Sequence, residues 1–238
     1  MFTDSFKIIA LPFIFLLTAC GGGGTSNNPY SNLESSLVFR VANNPQAGMI
    51  IDESSNKIWV SSVSNTNTSN RQVVERSAYK IVNNNTKISK GTDTVTNSEI
   101  LIAEAVKPGA IPNGTFTYTG NSIFYYTKDV GLVGSTFRKL TAYGTATLQV
   151  SPELNTGQLQ ACANSCDEYL LVEINSINSS GLISGNGTFS SADLGYDYNR
   201  TGYIEGSTFY GSLGGGNAEE FSGISGGNSH SVAVVGTR

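Results

Sequence analysis

Gly144-Thr-Ala-Thr-Leu-Gln-Val150 is the stretch that decides the fold class of this chain. Within it Ala146, Leu148 and Val150 alternate with Thr and Gln, and a period of two residues is typical of a β-strand with one buried and one solvated face. Similar runs, separated by Gly, Asn and Ser turns, recur at residues 116–118, 170–174, 181–189, 202–210, 218–224 and 231–235. Several short strands at this spacing predict an all-β sandwich or barrel.

The first half of the chain carries the same signal less clearly. Residues 37–41 place Leu, Phe and Val on one side of an extended run, and a second run covers 49–63. Residues 64–70, rich in Asn, Thr and Ser, predict a loop. Residues 71–82 favour a strand, whereas 98–107 combine Glu and Ala with Ile and Val and leave helix and strand open.

The composition is that of an exported β protein. The 238 residues include 27 Gly and 6 Pro, with 39% hydrophobic and 13% charged residues. A net charge of −4 without a basic patch argues against a nucleic-acid partner. Glycines inside predicted strands fit the corners of a small barrel; they are Gly144, Gly185, Gly206 and Gly223.

The N-terminus carries a signal that directs the protein to a membrane. An apolar run at 8–17 is too short for a bilayer, which needs about 20 residues, and is typical of a signal peptide. It ends in the lipobox Leu17-Thr-Ala-Cys20, which predicts a signal peptide over 1–19 and acylation of Cys20. An ordinary secretory signal with an incidental cysteine is the alternative. Gly21, where Asp would signal inner-membrane retention, favours the outer membrane, and residues 20–36 predict a lipid anchor with a flexible tether.

The two other cysteines form Cys162-Ala-Asn-Ser-Cys166. In an oxidising compartment, this close pair predicts a disulfide that closes a tight loop. Half of a metal site is the alternative, but it needs further ligands, and the one histidine, His230, is distant in sequence.

The usual catalytic and cofactor patterns cannot be assembled, so the chain is predicted not to be an enzyme and to hold no metal or cofactor. His230 lies between Asn and Ser residues, which predicts an exposed turn rather than a Ser-His-Asp site. Glu219 and Glu220 are adjacent and would point to opposite faces of a strand. Residues 193–199 contain oxygen donors without EF-hand spacing. A haem ligand would be His230, Met49 or a tyrosine, and the spacing selects none.

Two aromatic runs are candidates for contact with a protein partner. In Ile123-Phe-Tyr-Tyr126 the alternative is a strand with core-facing side chains, and in the second run it is a cover over a barrel end. The predicted contact residues are Phe124, Tyr125, Tyr196, Tyr198 and Arg200.

The last quarter of the chain resembles a known family. Gly202-Tyr-Ile-Glu-Gly-Ser-Thr-Phe-Tyr-Gly211, followed by Asn217-Ala-Glu-Glu-Phe-Ser-Gly223, is similar to the C-terminal barrel signature of transferrin-binding protein B-like surface lipoproteins. Residues 144–150 followed by Asn155-Thr-Gly-Gln-Leu159 look like that family's hairpin. The chain departs from the pattern because residues 212–216 lengthen one connection and Ile224 replaces a glycine.

The resemblance implies a small N-terminal β-rich handle domain at 37–109, followed by an antiparallel eight-stranded β-barrel at 110–238. It also implies a cell-surface lipoprotein, anchored in the outer membrane, that binds a host or environmental protein, often an iron or haem carrier, and performs no chemistry. In that family Glu220 would be structural. The alternative is a periplasm-facing structural or assembly lipoprotein that captures no ligand.

Overall fold

A computed structural model of the chain describes residues 46–52, 57–63, 73–93, 98–129, 137–192, 203–227 and 229–238. An open five-stranded sheet, the handle, precedes a closed antiparallel eight-stranded barrel, which confirms the predicted fold class. The signal peptide, Cys20, the tether and the interpretations at 37–41 and 64–70 lie outside the described residues. In the described part, no helix is long and apolar enough to span a bilayer.

The handle has the strand order β1-β2-β5-β4-β3. Residues 71–82 contain a strand as predicted, and 98–107, left open between helix and strand, contain another. The handle strands are β1 Gln46–Asp52, β2 Lys57–Val63, β3 Val73–Val82, β4 Thr86–Asp93 and β5 Ser98–Val106.

The barrel is a meander in which each strand pairs with the next, and the last strand pairs with the first to close it. Closure leaves the barrel without an edge strand. Its strands are β6 Phe116–Asp129, β7 Phe137–Ser151, β8 Thr156–Ala163, β9 Glu168–Ile177, β10 Leu182–Ser191, β11 Tyr203–Gly214, β12 Glu220–Gly226 and β13 His230–Thr237.

The barrel interior is filled by every second side chain of each strand. Leu148 on β7 and Val172 on β9, both fully buried, belong to the predicted alternation. The bulkiest interior side chains are Tyr118, Phe124, Phe189, Phe209 and Phe221. Burial of one such aromatic side chain contributes about 1.5–3 kcal/mol to folding.

Glycine is required where neighbouring strands approach closely. A Cβ at Gly144 would clash with the carbonyl oxygen of Cys162, and β10 has an irregular register beside Gly185. Both positions fit the predicted corners of the barrel. Gly206, in contrast, has open space where a Cβ would lie.

The handle packs against the outer wall of the barrel. Ile88 and Leu101 of the handle share one hydrophobic cluster with Ile224, Ala233 and Val235, which point outward from β12 and β13. This second cluster consists of buried aliphatic and aromatic side chains from both sheets, so handle and barrel bury apolar surface against each other.

Polar side chains fix the handle in place. Glu220, 3% exposed, accepts hydrogen bonds from Asn85 N at 2.8 Å, Thr86 Oγ1 at 2.8 Å and Asn85 Nδ2 at 3.2 Å. Its position on the outer face of β12 gives it the structural role that the resemblance implies. Lys90 Nζ, also buried, pairs with Glu99 at 3.1 Å and donates to Thr141 on the barrel at 2.8 Å.

The lengthened connection at 212–216 holds the segment that joins handle and barrel. Gly109 N and Ala110 N donate to the carbonyl oxygens of Gly215 and Gly216 at 3.3 and 3.0 Å, and Gly215 N donates to Val106 O at 3.2 Å. The departure from the family pattern therefore has a structural use in this chain.

Candidate functional site

One end of the barrel interior is polar. Strands β6, β8, β10 and β12 end there and β7, β9, β11 and β13 begin there. We call it the polar end. Its buried polar groups belong to two hydrogen-bonded clusters, one around His230 and Glu205 and the other around Glu168.

His230 is the centre of the first cluster. It is 0% exposed and stacks on the ring of Phe189, with ring centroids 4.2 Å apart. Its Nε2 lies 2.8 Å from Ser207 Oγ, and Ser207 Oγ lies 2.6 Å from Ser225 Oγ. Its Nδ1 lies 3.5 Å from Glu205 Oε1, too long for a good hydrogen bond.

The prediction of an exposed turn at His230 is wrong. His230 is the first residue of β13 and shares the inward-facing side of this strand with Val232 and Val234. The interior location removes His230 from the surface, and its Nε2 is engaged with Ser207. The alternation of Val234 and Val232, extended two residues back, is the signal that could have revealed it.

Glu205 fixes the turn between β12 and β13. Its carboxylate accepts hydrogen bonds from Ser229 N at 3.1 and 3.2 Å and from Ser229 Oγ at 2.5 Å. A Cβ at Gly227 would clash with this carboxylate. Glu205 and Ser207, which the sequence reasoning missed, share the alternation of Phe209 along β11.

Glu168, 1% exposed, is the centre of the second cluster. It accepts hydrogen bonds from Asn164 Nδ2 at 2.6 Å and from Ser191 Oγ at 3.3 Å. Burial, and secondly the charge of Glu168, raise the pKa of Tyr126 well above its ordinary value. The cluster thus joins the β8–β9 connection to the ends of β6 and β10.

The β8–β9 connection is an exposed and constrained loop. The predicted disulfide is confirmed: Cys162 and Cys166 are bonded, with Cα atoms 4.7 Å apart. Asn164, Ser165 and Cys166 have φ angles of 49°, 58° and 70° and are exposed. Left-handed backbone costs a non-glycine residue about 1–2 kcal/mol, so the disulfide and the Asn164–Glu168 bond hold a conformation that the free chain would avoid.

The structure describes two of the five predicted contact residues. Phe124 and Tyr125 lie within β6 and are 0% and 9% exposed, so in this structure neither side chain is available for contact with a partner. Phe124 fills the barrel core, which was the alternative interpretation, and Tyr125 faces outward beneath the handle, with Lys90 Nζ 4.3 Å from its ring. Residues 193–199, with Tyr196 and Tyr198, and Arg200 lie outside the described residues. The strand ends on either side of them, Ser191 and Tyr203, are paired at the polar end.

Glu205, His230 and Ser207 follow one another in space as an acid, a base and a hydroxyl do in a catalytic triad. Here, however, these groups contact other side chains of the barrel interior. Ser207 is 5% exposed, and its hydroxyl already bonds to both His230 and Ser225. Among the described residues, no group of three His, Cys, Asp or Glu side chains could hold a metal ion. What the arrangement does is fix the connections that leave the polar end.

No protein-family model matches the chain, and no curated protein matches it in sequence. Solved structures similar to it include transferrin binding protein B of serogroup B Neisseria meningitidis, at 14% identity and a TM-score of 0.44. The similarity covers 69% of this chain and 36% of that protein, so the chain spans about a third of its length. A second is a structure described as a surface lipoprotein, at 12% identity and a TM-score of 0.48, covering 75% of this chain and 89% of that one.

A third is a variant of transferrin binding protein B from Actinobacillus pleuropneumoniae, at 14% identity and a TM-score of 0.46, covering 71% of this chain and 81% of that one. At these identities and TM-scores the likeness is a distant one of fold. What this chain binds has to be inferred from its own residues.

Proposed function

We propose that this chain is an outer-membrane lipoprotein, anchored through Cys20 and displayed on the cell surface, that binds a protein partner through the polar end of its barrel. The observation that carries the proposal is the disulfide-closed loop at Asn164–Cys166, which is exposed, conformationally constrained and supported from below by Glu168. Loops held rigid on a β scaffold bind with a low loss of conformational entropy.

The segment that contains Tyr196, Tyr198 and Arg200 is a second argument for binding at this face. It connects β10 to β11, whose paired ends lie at the polar end beside the disulfide loop. Tyrosine and arginine are enriched among the residues that dominate binding energy at protein interfaces. The resemblance of residues 202–223 to transferrin-binding protein B-like lipoproteins makes an iron or haem carrier protein the first partner class to test.

The test has two parts. Intact cells that produce the full chain are treated with protease. If the chain is on the cell surface, it is cleaved while the cells stay intact. The same cells are then incubated with labelled serum proteins and haemoglobin. We expect the Tyr196→Ala/Tyr198→Ala variant to lose at least about tenfold in affinity for the captured protein, since such residues contribute more than 1 kcal/mol each.

Tyr143→Ala is the control, because Tyr143, 49% exposed, lies in the middle of β7 and stacks on Tyr79 of the handle rather than lying in a loop of the polar end. It should bind as the unmodified chain does. Protection from protease on intact cells, or equal binding by the tyrosine variant and the unmodified chain, would contradict the proposal. Protection would favour the periplasm-facing structural lipoprotein instead.

A further inference from the structure

The barrel wall that the handle leaves uncovered carries an ordered array of neutral hydrogen-bonding groups. It consists of three rows of outward-facing side chains on five neighbouring strands, β6 to β10, and we call these rows the neutral wall. The strand registers arrange these side chains in three rows. They are Thr119, Thr147, Gln160, Leu171, Thr188; then Thr117, Gln149, Gln158, Glu173, Asn186; then Asn121, Thr145, Cys162, Tyr169, Ser190.

The wall is almost uncharged. Glu173 is its one ionisable acid, and no Lys, Arg or Asp occupies any of the three rows. One of the fifteen side chains is charged, whereas 13% of the whole chain is charged and designed soluble surfaces carry about 25–35%. The charged residues Lys87, Lys90, Glu99 and Glu104 lie instead on the handle.

The hydroxyl and amide groups of the wall are available for binding. The Thr, Asn and Gln side chains in the three rows are all exposed. In the part of the chain that the structure describes, Gln160 Nε2 donates to Gln158 Oε1 at 2.8 Å, and the other Thr, Asn and Gln side chains of the wall bond to no protein group. Adjacent rows and strands place such groups about 7 Å apart along a strand and about 4.8 Å apart across strands.

The wall has a small apolar platform on β9. Tyr169 and Leu171, two residues apart on this strand, are half-buried, and Gln160, Thr188 and Ser190 lie beside them on the neighbouring strands. A tyrosine ring at such a position offers an apolar face next to polar groups. The apolar face of a pyranose ring packs on such a platform while its hydroxyl groups reach the surrounding amides and hydroxyls.

We propose that the neutral wall binds a neutral polysaccharide chain. Threonine hydroxyls and Asn or Gln amides both donate and accept hydrogen bonds, as sugar hydroxyl groups do, so each of these side chains can pair with a sugar hydroxyl group. A phosphorylated or carboxylated polymer would need cationic side chains, which the wall does not have. Because strands hold the backbone of the array, only the side chains that contact the sugar lose rotamer freedom on binding. The third row reaches the rim of the polar end at Cys162, Tyr169 and Ser190, whereas the other two rows lie on the side of the barrel. This inference therefore does not depend on the protein partner.

Affinity electrophoresis tests this proposal. The full chain, solubilised in a nonionic detergent, is run through native gels that contain a neutral glucan, a neutral mannan, a neutral galactan or no polymer, with alginate as an anionic polysaccharide. We expect retardation in at least one neutral gel and none with alginate. The retardation should not change between low and high salt, because the contacts carry no charge.

Two paired variants make the test specific. Thr147→Lys/Gln160→Lys puts charge into the first row and should weaken binding at least about tenfold, because each buried ammonium loses its hydration. Asn113→Lys/Asn217→Lys makes the same charge change at exposed turn positions outside the wall and should bind as the unmodified chain does. Circular dichroism checks that both variants are folded.

Three results would overturn the proposal. They are no retardation in any neutral gel, stronger retardation by alginate, and equal weakening by both variants.

Discussion

At the scale of single residues, Tyr118 connects the stability of the barrel to pH. It lies in the interior at the end opposite the polar end, where its hydroxyl donates to Ala218 O at 2.6 Å. Burial raises the pKa of Tyr118 from 10.0 to about 12, with smaller opposing effects of Arg238 and Glu219. The unfolded chain therefore releases this proton near pH 10, whereas the folded chain keeps it until about pH 12.

The sign of the resulting effect follows directly. The free energy of unfolding should be unaffected by Tyr118 below pH 10 and should fall between pH 10 and 12, by up to about 3 kcal/mol at 1.36 kcal/mol per unit. Tyr118→Phe should be less stable by about 1 kcal/mol at neutral pH, because Ala218 O loses its donor. Its stability should then fall less steeply in alkali. Urea unfolding at several pH values measures both effects, and equal alkaline slopes in the two proteins would exclude this role.

At the scale of elements, how well the sequence predicted the fold depended on what covers each strand. Strands β7 and β9 were predicted because Leu148 and Val172 face the core while their neighbours face water. The sequence of β5 does not distinguish helix from strand, because Leu101, Ile102 and Ala103 are all buried and the alternation is lost.

The error at His230 has the same cause. Ser231 faces outward from β13, yet it is 0% exposed, so a polar residue occupies a buried position. Its polarity made the start of the strand resemble a turn. The burial of Glu220 was equally invisible in one sequence, because both depend on contacts between distant segments.

The disulfide loop is the element whose contribution can be measured separately. The bond closes a loop of sequence separation 4, for which chain entropy gives about 2 kcal/mol of stabilisation. Cys162→Ala/Cys166→Ala should lose about this amount in urea unfolding and should also bind the protein partner more weakly, because the left-handed residues are released. A reducing agent should reproduce both losses in the unmodified chain and change nothing in the variant. If the reductant changes neither the stability nor the binding of the unmodified chain, this account is contradicted.

At the scale of the whole molecule, handle and barrel should unfold together. They share the cluster that contains Ile88, Leu101 and Ile224, and the buried carboxylate of Glu220 ties the β3–β4 turn to β12. Separation would expose apolar surface on both sides and break the hydrogen bonds to Glu220, which costs more than the loss of an isolated surface contact. Hydrogen exchange measured by mass spectrometry should therefore give peptides from β4, β5, β7 and β8 a common free energy of opening.

Substitution of Glu220 or of its sequence neighbour Glu219 tests whether handle and barrel unfold together. Glu220→Ala removes three hydrogen bonds from a buried acceptor and should lower that common free energy by about 2–4 kcal/mol in handle and barrel peptides alike. Glu219→Ala should change little, because Glu219 accepts hydrogen bonds from Gly216 N and Asn217 N in an exposed turn. If Glu220→Ala accelerates exchange only in the handle peptides, the two sheets are separate cooperative units. The barrel would then hold its polar end in place without the handle.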